Sequence, residues 1–243
     1  MKKTIKTAIL TLLLLTLTVS TAFLAYLHFF ASDGNDLSGE WTAEIDLTKQ
    51  AAVSAYSWLQ DIEGVSLSLE KTEAYIPELT VRVDLSFAQT VDAAGTFYCS
   101  VSPESYEACR QTAYGALRTA FHDLLAERLH MAGYTGSTDE EALEALVVET
   151  FGMSTEEYLA ASVPGLLPLF DTLQARFDGG GTYEITEGVL TRRFEEEGTV
   201  VTRTETCIRQ DCQLILLEET GADSSVVSSD EYPVVYTLRQ SAK

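Results

Sequence analysis

The sequence predicts an α+β fold. An antiparallel β-sheet or β-barrel is split by a three-to-four-helix insertion over 103–178 and preceded by one N-terminal transmembrane helix. Three observations predict it. Leu79, Val81, Val83, Leu85 and Phe87 alternate with polar residues, the period of a half-buried strand. From Pro103 the apolar spacing changes to three and four, the period of a helix. Past Gly179-Gly180-Gly181, which closes the helical region, alternation returns with short turn pairs between runs.

Residues 1–35 read as a signal anchor and a short linker. Lys2, Lys3 and Lys6 precede an apolar run from Ala8 to Phe30, and no acid occurs before Asp33. A helix over 7–30, rising about 1.5 Å per residue, is long enough to cross a hydrocarbon core. Tyr26, Phe29 and Phe30 suit the outer interface, and the lysines hold the N-terminus inside. The expected location is the cell membrane, single-pass, with an extracellular domain over 36–243. The alternative is secretion after cleavage behind Ser20-Thr21-Ala22.

Within that domain, Gly39 to Leu47 alternates as a first strand, with Trp41, Ala43, Ile45 and Leu47 on one face. Thr48 is positioned to cap a helix that places Val53, Tyr56, Leu59 and Ile62 on one face and ends at Gly64. Val65, Leu67 and Leu69 alternate briefly, and strands follow over 79–87 and 96–101. Ser102-Pro103 opens a long helix to about Met131, stopped by Gly133. Thr138–Glu141 and Ser154–Glu157 are capping-box patterns for two more helices. The run Pro164-Gly165-Leu166-Leu167-Pro168 breaks the third helix and reads as a kink, a lid or a docking segment before 169–177. Five strands complete the chain: 182–186, 189–195, 199–207, 212–218 and 232–240.

Charge and cysteine usage bound the function. The chain carries 16 basic and 37 acidic residues; without the three N-terminal lysines, 13 basic remain and the net charge is −24. That sign excludes nucleic acid and anionic lipid surfaces as partners of the domain. Four cysteines outside the cytoplasm permit two disulfides. Cys207 and Cys212 flank a four-residue stretch that reads as a hairpin loop, and Cys99 and Cys109 flank a strand–helix junction. Neither spacing suits a zinc site.

Gly39-x-Trp41 on a first strand, a closing meander and Arg239 on the last strand resemble the lipocalins. The resemblance covers 37–47 and 182–240 and extends to lipocalin-like domains of secreted or membrane-anchored bacterial proteins. It implies a barrel closed by Trp41 packed against Arg239. It also implies an interior able to hold a small apolar ligand. The helical stretch from Pro103 to Phe177 and the absent T-D-Y element depart from the family pattern.

No nucleophile elbow, zincin, P-loop or dinucleotide motif is present. His122 and His130 lie eight apart on one helix, too far for a shared metal. His122 beside Asp123 reads as a helix-surface pair. The expectation is a non-catalytic, membrane-tethered domain without a cofactor. It binds a small apolar ligand or an envelope protein. Val81, Val83, Leu85, Val234, Tyr236 and Leu238 are candidates for a cavity wall. The alternative is an envelope hydrolase using paired carboxylates.

Overall fold

The computed structural model describes residues 36–60, 67–91, 93–177, 179–196, 198–220, 226–227 and 232–239. The expected transmembrane helix lies outside the described residues, as do Ile62, Gly64 and Val65. Among the described residues, no helix is long and apolar enough to cross a membrane.

The barrel is complete. Its strands are β1 (Gly39–Asp46), β2 (Thr80–Val91), β3 (Ala94–Val101), β4 (Gly179–Thr186), β5 (Val189–Glu196), β6 (Thr199–Gln210), β7 (Gln213–Thr220) and β9 (Val234–Leu238). Each pairs antiparallel with its neighbour. β7 pairs with β9 and β9 with β1, so the eight close on themselves. A two-residue β8 (Val226–Val227) pairs with the far end of β7. Closure removes the unpaired edges that an open sheet would expose. The interruption by helices therefore does not cost the barrel any strands: three strands precede the long insertion and the rest follow it.

Two glycines permit close approaches in this barrel. Gly39 has φ +134°, and a Cβ there would come within 2.7 Å of the Leu238 side chain, where β9 seals onto β1. Gly181 lies within β4, flanked by Phe97 on β3 and Phe194 on β5. A Cβ there would collide with the Arg193 carbonyl and meet the Phe97 ring at 2.9 Å. The triple glycine thus begins a strand rather than only ending the helical region. The turns after β4 and β6 need left-handed backbone, supplied by Glu187-Gly188 and by Asp211.

The two ends of the barrel differ. One end carries the tight β2–β3, β4–β5 and β6–β7 hairpins. Both helical connections leave from and return to the other end. The first contains α1 (Thr48–Leu59) and α2 (Leu69–Glu73). The second contains α3 (Pro103–Met131), α4 (Glu140–Phe151), α5 (Thr155–Ser162) and α6 (Phe170–Arg176). Six helices among the described residues thus stand over one mouth. Leu47 and Thr48 tie the start of α1 to β2: Leu47 N donates to Leu79 O, and Leu79 N donates to Thr48 Oγ1, each at 2.8 Å.

Local chemistry explains most helix limits and some departures. Ser102 accepts from Ser105 N with Pro103 in the first turn, and Gly133 follows α3 at φ +81°. Ser154 and Glu157 form the reciprocal capping box of α5. At α4 the cap is Asp139, which accepts from Ala142 N, one residue beyond the expected Thr138. Thr48 does not cap α1, because its hydroxyl serves Leu79. The buried face of α1 is Ala51, Ala52, Ala55 and Leu59; Val53 is exposed. Small alanines let this helix sit close to the barrel rim, which apolar periodicity by size did not anticipate. Leu69 opens α2 behind its Ser68 cap instead of continuing a strand. The Pro164–Pro168 run is a core turn between two short helices, with Leu166 and Leu167 buried. Tyr114 and Tyr106 hydroxyls donate to Val163 O and Pro168 O, pinning both ends of it.

Candidate functional site: a charged ladder below the barrel mouth

The barrel wall turns its apolar residues inward. Val81, Val83, Trp41, Leu190 and Leu214 have no accessible surface, and Leu85 and Tyr236 retain 2% or less. Zero accessible surface leaves no room for a water-sized probe against Val81, Val83, Leu190 or Leu214. Of the six expected wall residues, Val81, Val83, Leu85 and Tyr236 are buried in the packed core, whereas Val234 lines the mouth cleft and Leu238 is partly exposed. Aromatic contacts help fill the interior: Phe87 meets Tyr183 edge-on at 4.8 Å, and Phe97 meets Phe194 at 6.5 Å.

Against this apolar lining stands a ladder of charge on β5, β6 and β7. Arg192 pairs in register with Arg203, and Glu205 pairs with Glu219. Direct neighbours carry like charges, so the favourable contacts run diagonally. Arg192 donates from Nε and Nη2 to the two oxygens of Glu205, both at 2.8 Å. Both side chains are buried. Such a bidentate fork is the geometry in which a buried pair best offsets its desolvation. Tyr232 adds a third donor to Glu205, also at 2.8 Å. The Arg192 guanidinium lies 5.4 Å from the Phe97 ring centre.

The second rung is nearer solvent. Arg203 and Glu219 approach at 3.5 Å with about a quarter of each side chain exposed. Arg203 also donates to Arg176 O at 3.2 Å, which satisfies a carbonyl at the end of α6. The ladder therefore joins the barrel to the last helix of the insertion.

Titration follows from this burial. Burial opposes the charge on Arg192, and the Glu205 carboxylate more than restores it, so its pKa is raised. Burial, then the Glu205 charge, pushes Tyr232 well above the ordinary phenol value. Tyr236 rises for the same first reason and donates to Cys99. Burial pushes the Cys99 and Cys207 thiols up to about 11.

Tyr232 links this ladder to open space. A cleft of about 890 Å³ lies at the mouth, between β1, α1, the end of α6 and β9. Ile45, Leu47, Val53, Phe177 and Val234 give it apolar surface; Glu44, Asp46 and Lys49 stand at its edge. Tyr232 lines the cleft while its hydroxyl reaches Glu205 behind it.

A second buried polar cluster sits among the helices. His122 is buried, a correction to its expected surface pairing with Asp123. Asp123 instead accepts from Tyr75 at 3.0 Å. His122 Nε2 meets Thr155 Oγ1 at 3.0 Å and Glu144 at 3.7 Å. Both partners use the same ring nitrogen. A nucleophile–base–acid relay needs the acid on the other nitrogen, so the cluster joins α3, α4 and α5 without that relay. Burial lowers the His122 pKa. The carboxyls of Asp36, Glu107, Asp139, Glu144 and Glu157 are lowered, chiefly by hydrogen bonds they accept. Among the described residues, no three His, Cys, Asp or Glu side chains cluster to hold a metal ion.

The four candidate disulfide cysteines are free thiols. Strand β6 continues past Cys207 to Gln210, so Cys207 faces Leu216 across the ladder. Cys212 falls in the two-residue turn and is exposed. Cys99 points into the barrel beside Tyr236, while Cys109 is buried on the helix above. The expected loop between Cys207 and Cys212 is therefore a paired strand and a shorter turn.

Trp41 and Arg239 also separate. Trp41 is fully buried, and its indole N–H donates to Leu37 O at 2.8 Å. Leu238 is its partner on β9. Arg239, one residue on, takes the outer face and bonds Asp84 at 3.0 Å, with Glu40 at 3.7 Å. The parity of the strand, not distance along the chain, parts them.

The ladder residues were not among the sequence candidates. One signal could have found them. Arg192 shares parity with Leu190 and Phe194, and Glu205 shares parity with Cys207, so charged residues occupy core-facing positions. Flanking polar residues on both strands hide that parity. Comparison with protein-family models, with curated proteins and with solved structures finds no match.

Proposed function

We propose that this protein is a non-catalytic, membrane-tethered, extracytoplasmic barrel of lipocalin type that binds a small amphipathic molecule at its helix-covered mouth. The observation that carries the proposal is the mouth cleft of about 890 Å³, apolar on Ile45, Val53, Phe177 and Val234 and polar at its rim. A concave, mostly apolar site with a few convergent polar groups is the usual form of a small-molecule site. The filled barrel interior supports placing the ligand at the mouth rather than inside. An apolar portion would lie along Phe177 and Val234, and a polar group would face Tyr232. The apolar N-terminal segment supports the membrane tether and the extracellular placement of the domain. No specific observation favours the hydrolase alternative.

The test is native mass spectrometry of the full chain released gently from membranes, beside Val53→Arg. Val53 is exposed and lines the cleft, so the substitution fills it without disturbing the core. The expected result is a small co-purifying mass on the parent that is lost from the variant, with circular dichroism unchanged. A bare parent that also shows no thermal shift with single-chain amphiphiles of either head-group charge would sink the proposal.

A further inference from the structure

A second concave surface, sharing no lining residue with the mouth cleft, lies along α4. Arg118, Glu141, Glu144, Ala145, Val148 and Glu149 line a groove of about 730 Å³. Arg118 meets Glu140, and one turn further along both helices His122 meets Glu144. The two helices therefore run side by side in the same direction, and the last turn of α4 lies toward the Met131 end of α3. Large apolar side chains are exposed at that end: Val148 at 45%, Phe151 at 43%, Met153 at 38% and Met131 at 59%.

The charges of α4 are incompletely answered within the chain. Glu140 is held by Arg118, and Glu144 accepts from Thr155 N. Glu141 and Glu149 have no ion-pair partner among the described residues. Glu140 and Glu141 stand at the helix start, where the macrodipole favours them. Glu149 does not: it lies toward the other end, where a negative charge is disfavoured and no basic residue compensates.

We propose that this groove docks a basic amphipathic helix of a partner protein, with apolar residues on Ala145 and Val148 and lysine or arginine against Glu141 and Glu149. Helix-in-groove docking lays an apolar helix face on apolar residues such as these, and the carboxylates beside them on α4 supply the complementary charge. The unpaired carboxylates of Glu141 and Glu149 turn away acidic surfaces. They also disfavour a second copy of the chain, whose own domain carries −24. The chain's own residues 7–30 lack the polar face such a helix needs.

The test uses the full chain in zwitterionic nanodiscs and a fluorescein-labelled, 20-residue Leu/Lys amphipathic helix as probe, with empty nanodiscs subtracted. Anisotropy is expected to show saturable binding. Glu141→Lys/Glu149→Lys and Val148→Asp should each weaken it by about tenfold or more. Glu70→Lys/Glu73→Lys on α2 changes the net charge equally and should leave Kd within about twofold. Hydrogen exchange on the parent should show protection of α4 on adding the probe, which is independent of how the variants fold. Equal weakening by both charge swaps would overturn the proposal. So would absent protection of α4, or self-association that Val148→Asp abolishes.

Discussion

Arg192→Met tests whether the charged ladder is a structural element of the barrel. The change preserves most of the side-chain volume and removes both donors of the fork. Glu205, 1% exposed, then keeps only the Tyr232 hydroxyl, since the Arg192 contacts at 2.8 Å are gone. Stripping one partner from a buried pair costs about 3–5 kcal/mol, because the remaining charge stays desolvated. For a domain of this size that lowers Tm by about 6–20 °C. Tyr232→Phe removes a single donor to a charged acceptor and should cost about 1.5–3 kcal/mol. The triple change Arg192→Met, Glu205→Leu, Tyr232→Phe removes every member together. It should recover stability to within about 2 kcal/mol of the parent. Urea unfolding reads all three. Fluorescence of Trp41 reports the barrel once Trp58, on α1, is replaced by phenylalanine. If Arg192→Met costs under about 1 kcal/mol, the pair is not desolvated as the geometry requires. If the triple variant is as unstable as the single one, lost packing rather than stranded charge explains the damage.

Other expectations concern the thiols and the close approaches. Cys212 should react with a maleimide within the mixing time of a native sample. Cys99, Cys109 and Cys207 should wait for unfolding; a mass showing two fewer pairs of reactive thiols would instead establish disulfides. The folded thiols of Cys99 and Cys207 titrate at about 11, above their unfolded value near 9.0. Each therefore contributes stability that is fully present below the unfolded value and is lost as pH rises through 11; the raised Tyr232 and Tyr236 act with the same sign. A urea midpoint that stays level from pH 8.5 to 11 would contradict this. Gly181→Ala should cost at least about 2 kcal/mol, because the collision is with backbone that cannot turn aside. Gly198→Ala, which meets open space at a positive φ, should cost only about 1 kcal/mol; equal losses at the two sites would remove the packing argument.

Local patterns carried much of the fold in the sequence. Alternation along Leu79–Phe87 and Val189–Glu195 marked strands because one barrel face is buried and the other wet. Ser102-Pro103 and Ser154–Glu157 marked helix starts because a cap is satisfied by residues three positions apart. Acidity is a property of composition alone, and the expected export and partner classes rest on composition and order alone. Tertiary structure decided what depends on residues far apart in sequence. Closure of β9 on β1 joins Leu238 to Trp41, and the register of β5 on β6 sets Arg192 beside Glu205. Neither neighbour is specified by spacing along the chain. The same long-range register moved Arg239 to the outer wall, while the extension of β6 to Gln210 left Cys212 in a two-residue turn. A shift of one residue in a strand reverses every side chain, and only the closed ladder of hydrogen bonds determines which parity faces in.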